Sequence, residues 1–196
     1  MKTLRIRLMM ASCVLALAGQ QGLHAADYEV FGGYSVTKMR PDNGANTATM
    51  NGWNSSFTAY PWSRIGLTAD FAGYYGTATG TYTATDGSTL SALNTDIRQY
   101  SFMAGPQVRL LNSRRIQTSF HALFGAAYGY VPGTTSNLID QTTFASLVGS
   151  NVDVKVSKRI AMRFSPGLYL TQFGDGQTQK NLRFSVGPVF QFGGER

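Results

Sequence analysis

The chain has one cysteine, six prolines and, across 196 residues, only 14% charged side chains. Each of these shortages excludes something. A single cysteine excludes an internal disulfide framework. Charge at about half the share usual in soluble proteins, together with 12% aromatics, excludes long disorder, which needs the opposite balance. Beyond the first two dozen residues, no apolar run approaches the roughly 18 residues needed for a membrane-crossing helix, so a helical membrane protein is excluded. Lysine and arginine occur singly or in pairs, so nothing favours a nucleic-acid partner. No phosphate-binding glycine loop, zinc-ligand cluster or cysteine-based site is present, and no cofactor or metal is expected.

The first 25 residues read as an export signal. Lys2, Arg5 and Arg7 form a basic start, residues 8–19 an apolar stretch, and residues 20–25 a small-ended exit with cleavage expected between Ala25 and Ala26, Ala16-Leu17-Ala18 being a competing small-x-small site. Cys13 leaves with this segment, and the mature chain is expected to be one domain over residues 26–196. Removing three cations and no acid lowers the formal net charge from +7 to +4.

From Asp27 onwards a period of two dominates, and no amphipathic helix of three turns is found. Over 65–77, Ile65, Leu67, Phe71 and Tyr75 share one face while Gly66, Thr68, Asp70 and Gly76 share the other. The same pattern recurs over 116–130 and 181–192. It predicts eight strands at 27–38, 50–60, 65–77, 96–109, 116–130, 143–156, 160–173 and 181–192. Most have 11 to 15 residues, long enough to cross an outer membrane when tilted. The connections alternate: 39–49, 78–95, 131–142 and 174–180 are long and rich in Gly, Thr, Ser, Asn and Asp, whereas 61–64, 110–115 and 157–159 are tight.

An even set of long strands with loops at one end and turns at the other predicts an all-β fold, an eight-stranded antiparallel up-and-down transmembrane β-barrel. Hydrocarbon cannot satisfy backbone polar groups, so a sheet persists there only by closing on itself. A soluble sandwich would alternate too, but with shorter strands and a more charged outer face. Aromatic and branched rows suit lipid, and rows of Gly, Ser, Asn and Gln suit a narrow lumen. Tyr28, Trp53, Tyr60, Trp62, Tyr75, Tyr100, Tyr128 and Tyr130 fall near strand ends, where headgroup-level positions are expected.

This assignment of faces places Glu29, Asp70, His121, Asp153, Arg163 and Arg183 on inward rows. Ionisable groups at that depth are costly unless paired, so a lumen-crossing polar network is expected. His121, the one histidine left after signal removal, is read as part of that network, since no serine or cysteine nucleophile is placed beside it. Charge also sorts by end: the short turns hold Arg64, Arg114, Arg115, Lys158 and Arg159, and the long loops hold Asp42, Asp86, Asp140 and Asp175 against Arg40 and Lys180. Arg98 lies on the lipid-facing row near the loop end, where it would either meet lipid phosphates or stand as a solvated rim residue.

The opening Tyr28-Glu29-Val30-Phe31-Gly32-Gly33-Tyr34-Ser35 and the closing run from Asn181 to Phe192 resemble the first and last strands of small outer-membrane β-barrel proteins, the OmpA/OmpX-like eight-stranded group. The resemblance implies a Gram-negative outer membrane, periplasmic termini, and contact with outer-membrane lipid and lipopolysaccharide. It also implies insertion by the barrel-assembly machinery, which in that group reads a C-terminal aromatic strand, here Phe190 and Phe192 followed by four further residues. Enzymes built on small barrels need groups this chain does not supply: a lipid A deacylase would need a His-x-Ser pair, and His121 precedes Ala122 and Leu123. The expected function is non-enzymatic, a structural or surface-interaction role that meets an extracellular ligand through the loops, as a monomer. The alternative is a narrow passive pore.

Overall fold

Alternating side chains commit each segment to a sheet with two unlike faces, and such a sheet is stable in lipid only if no edge is left. The computed structural model describes residues 27–39, 48–83, 89–130, 141–172 and 178–193. It consists of β1 (Asp27–Met39), β2 (Ala48–Tyr60), β3 (Ile65–Thr83), β4 (Thr89–Asn112), β5 (Ile116–Tyr130), β6 (Gln141–Lys155), β7 (Ile160–Thr171) and β8 (Gln179–Phe192). Every neighbour is antiparallel, and β1 pairs with β8 from Tyr28↔Phe192 to Lys38↔Leu182, so the sheet closes into an eight-stranded barrel. The 13 residues of β1 extend about 40 Å and, tilted by about 40°, rise about 30 Å, enough to cross an apolar band of about 25 Å.

The two faces separate as the alternation requires. Phe57, Phe71, Phe102, Phe120, Phe124, Phe184 and Phe190 lie on the outside and are exposed, while Thr58, Asp70, Met103, His121 and Ser185 on the adjoining inward rows are buried. An outside surface this apolar, around a polar interior, is the reverse of a soluble protein.

Three prolines interrupt strand interiors, which a closed barrel should tolerate poorly. Each breaks one ladder. Pairing skips Pro106 between β4 and β5, Pro166 between β6 and β7, and Pro188 between β8 and β1. All three rings point outward, and proline, which has no N–H, adds no unpaired donor of its own at the break. Glycine fills the close approach beside the last break: a Cβ on Gly187 would lie 2.3 Å from the Gly32 carbonyl oxygen and 2.5 Å from the Gly33 Cα.

Two sequence expectations need correction. The segment 78–95 is expected as a loop, yet β3 continues to Thr83 and β4 begins at Thr89, pairing through Thr83↔Thr89 with a register shift between Gly80 and Tyr82. Its alternating threonines at 77, 79, 81 and 83 are β-branched residues that favour an extended chain, and their polarity disguised the strand. Second, Tyr60 is expected at headgroup level but turns into the lumen, where it is 2% exposed. As the last residue of β2 it keeps the inward parity of Thr58 and Ser56. The export signal, its cleavage site at Ala25 and Ala26, Cys13 and the loop residues Arg40, Asp42, Asp86, Asp140 and Asp175 lie outside the described residues.

A closed barrel of this kind resists detergent until heated. Unboiled and boiled samples are therefore expected to migrate as two distinct bands on a denaturing gel, and a single band under both conditions would contradict the closed sheet.

Candidate functional site: a filled lumen and a projecting ribbon

Near the turn end, β1 contributes Asp27 and Glu29 to the lumen, β4 Arg109, β6 Asp153 and β7 Arg163. Register places them at one level, with Asp153 directly opposite Arg163. Arg163 donates from Nε to Asp153 Oδ1 at 2.7 Å, and from Nη2 to Asp153 Oδ2 at 2.7 Å and Glu29 Oε2 at 2.6 Å. Arg109 donates to the other Glu29 oxygen at 3.0 Å and to Asp27 at 2.8 Å. The result is an alternating chain, Asp27–Arg109–Glu29–Arg163–Asp153, that crosses the barrel rather than running along its wall. Gln117 of β5 donates to Glu29 Oε1 at 2.7 Å. The Arg109 guanidinium lies 3.5 Å over the Tyr60 ring, and the Tyr60 hydroxyl is bonded to Gln107. Every charged group of the layer thus meets an opposite charge, the condition under which buried charge is tolerated at all, while Arg109 Nε has no hydrogen-bond partner among the described residues.

A second layer lies further toward the loop end. Arg183 of β8 grips Asp70 of β3 in a two-pronged pair, both distances 2.9 Å, and Asn54 of β2 donates to the same carboxylate at 2.8 Å. Between the layers, Gln107 Oε1 accepts from Thr68 at 3.1 Å and Asn151 at 3.2 Å. From this level toward the loop end apolar side chains join the filling, with Met50, Tyr74, Met103, Leu123, Leu147 and Tyr169 buried among polar residues such as Ser35 and Gln99, and Gln99 donates to the Tyr169 hydroxyl at 2.8 Å. A mid-height void bordered by Asp70, His121 and Asn151 measures only about 10 Å³, room for at most one water.

The six residues assigned inward by sequence are therefore all buried in the lumen. The structure divides them: Glu29, Asp153 and Arg163 meet in the first layer, and Asp70 and Arg183 in the second. His121 sits between, and its Nδ1 has no hydrogen-bond partner among the described residues. Sequence reasoning missed Arg109, the hinge of the first layer. The signal was present, because a lipid-facing Arg98 fixes every odd position of that strand as inward; Arg109 escaped notice by standing at a strand end. The buried Phe31, Met50, Tyr74, Met103 and Tyr169 depart from the expectation of a small, polar filling. Phe190 and Phe192 are exposed on the outer row of β8.

At the opposite end the β3–β4 pairing continues past its neighbours. β3 pairs with β2 only as far as Tyr75↔Asn51, and β4 with β5 only as far as Arg98↔Tyr130. Past those points, among the described residues, 77–83 and 89–96 pair with each other and with no further strand, a two-stranded ribbon.

The architecture has solved counterparts. Ail, the attachment invasion locus protein of Yersinia pestis, aligns with 86% of this chain and 100% of its own at a TM-score of 0.57 and 16% identity. Neisserial surface protein A aligns over 84% of this chain and 97% of its own, with a TM-score of 0.62 and 15% identity. OprG, an outer membrane protein of Pseudomonas aeruginosa, gives a TM-score of 0.56 at 12% identity over 87% of this chain and 98% of its own. The fold is that of the small outer-membrane β-barrels. At such identities the likeness is one of fold, and neither protein-family models nor curated proteins give a match to the sequence. The OmpA/OmpX-like resemblance of the first and last strands agrees with this architecture.

Proposed function

We propose that this barrel resides in the outer membrane with its termini and short turns toward the periplasm, and that it acts through its outer surface rather than through its lumen. The observation that carries this reading is the ribbon at 77–83 and 89–96, which extends past the rim pairings with β2 and β5 and, among the described residues, has no strand on either edge. Exposed strand edges are templates for another chain, because their free N–H and C=O groups accept an added strand. The lumen supports the reading from the other side: among the described residues two ionic layers cross it, and the mid-height void between them measures only about 10 Å³. The role is structural or adhesive and non-catalytic, with a monomeric barrel as the working unit. Insertion by the barrel-assembly machinery would read Phe190 and Phe192.

One Ail structure holds the heparin analogue sucrose octasulfate. In this chain the loop segments carry four aspartates against Arg40 and Lys180, a balance that favours a protein ligand over a polyanion. The test replaces residues 77–96 by a tight turn. The shortened barrel is expected to fold with unchanged heat-modifiable mobility while surface binding by cells that display it falls at least about tenfold, as loss of the dominant contact would give. Unchanged binding would overturn the reading. In planar bilayers the intact protein is expected to show no reproducible conductance steps; regular steps would favour a narrow passive pore instead.

A further inference from the structure

The short-turn end carries a cleft that the lumen and the ribbon do not explain. It measures about 380 Å³ and is lined by Ser63, Arg64, Arg109, Leu110, Leu111 and Asn112. A bulge creates it: β4 pairs Arg109 with Ser119 and then Leu111 with Thr118, so Leu110 is an extra residue in the strand. The bulge leaves Leu110 and Leu111 67% and 53% exposed beside the polar lining. Arg109 is already committed to Asp27 and Glu29. Arg64 makes no ion pair among the described residues, and its backbone is pinned in place because its carbonyl accepts from the Arg109 N–H at 2.8 Å.

The surroundings repeat this chemistry. Arg114, Arg115, Lys158 and Arg159 are exposed on the other two turns and make no ion pair among the described residues. Backbone bonds from Lys155 N to Arg115 O and from Gln191 N to Arg159 O, each 2.8 Å, tie these turns to β6 and β8. In and beside these turns stand the exposed apolar side chains of Trp62, Ile65, Ile116, Val156 and Ile160. Cations at the edge of an apolar band meet lipid phosphates, and a cleft joining a guanidinium, a hydroxyl and a carboxamide to two leucines suits a headgroup and the start of an acyl chain.

We infer that this cleft binds an anionic glycerophospholipid of the leaflet at the turn end, its phosphate on Arg64, Ser63 and Asn112 and its chain along Leu110 and Leu111. The remaining turn cations draw further anionic headgroups around the barrel. The inference rests on the membrane-spanning reading above but not on which side of the membrane the turns face.

Trp62, 66% exposed and next to Ser63, reports on the site. The chain has two tryptophans, so Trp53→Phe leaves Trp62 alone. This variant is folded into phosphatidylcholine vesicles containing either brominated phosphatidylglycerol or brominated phosphatidylcholine, and Trp62 fluorescence is read. Phosphatidylglycerol is expected to quench as though enriched about fivefold around Trp62, with most of that enrichment lost in Arg64→Gln. Lys180→Gln, at the far end, is expected to leave it unchanged. Equal quenching by the two lipids overturns the inference while leaving the barrel in the membrane. Absence of quenching by both, from protein that shows a heat-modifiable band, overturns the spanning reading itself. Recovery of fluorescence with inorganic phosphate, but not with chloride at matched ionic strength, assigns the cleft to a free anion and overturns the lipid.

Discussion

Replacing Arg163 by methionine is expected to cost the folded barrel about 3–5 kcal/mol, the range found when one partner of a buried ion pair is removed. Arg163 is 2% exposed and joins Asp153 through two hydrogen bonds and Glu29 through a third. Without it, two carboxylates remain side by side in the lumen, and Arg109 reaches only one Glu29 oxygen. The measurement is the denaturant midpoint of unfolding from lipid vesicles, followed by loss of the heat-modifiable band. Arg163→Lys should fall between wild type and methionine, because a single ammonium cannot reproduce the planar fork that serves both carboxylates. The sharper arm is the triple change Glu29→Gln, Asp153→Asn, Arg163→Met. It removes both stranded charges while Arg109 keeps Asp27, and it is expected to recover most of the loss. Wild-type stability in Arg163→Met would show that the first layer is not held by charge. A triple variant as unstable as the single would show that the packing of the Arg163 side chain, including its contact 5.7 Å from the Phe31 ring centroid, dominates instead.

Phe71→Arg is expected to destabilise the barrel in a bilayer by about 2–4 kcal/mol, the penalty for a cation on the lipid face near mid-depth. Phe71 is 48% exposed, lies mid-way between Ile65 and Tyr75, and packs at a tilt of 40° against Phe102 across the β3–β4 pair with ring centroids 4.7 Å apart. Tyr75→Arg, on the same row but nearer the rim, should cost only about 0–1 kcal/mol, since the penalty falls with approach to the headgroups. The gradient is the decisive quantity. In a water-soluble sheet, arginine at either exposed position would change stability by no more than about 0.5 kcal/mol, with no dependence on depth. Equal, small effects at both sites would therefore contradict the membrane reading.

Much of the fold was legible because period two has one structural meaning over 11 to 15 residues. Ile65, Leu67 and Phe71 against Gly66, Thr68 and Asp70 require a strand with unlike sides, and the alternation of long and short connections requires up-and-down order. Where polarity replaced alternation the signal failed. The ribbon at 77–83 and 89–96 is threonine-rich on its β3 side and reads as loop, because neither face needs to be apolar outside the membrane. Tyr60 shows the complementary failure: residue type suggested the interface, and parity decided the lumen.

Parity likewise told which ionisable groups face inward but not which of them meet. Glu29 and Arg163 are separated by 134 residues and Asp70 and Arg183 by 113. Nothing in a single sequence couples such positions.

The sequence by itself determined a β-barrel with an apolar outside, a polar inside and a basic turn end, since each follows from the alternation of residue types along one strand at a time. Only the tertiary structure decided how the charges partition into two layers, that Arg109 joins Asp27 to Glu29, and that a bulge at Leu110 opens a cleft beside Arg64. Those features depend on the stagger between strands when the sheet closes. That stagger is a property of the whole circuit of eight strands, β8 returning to β1, and is written in no one of them.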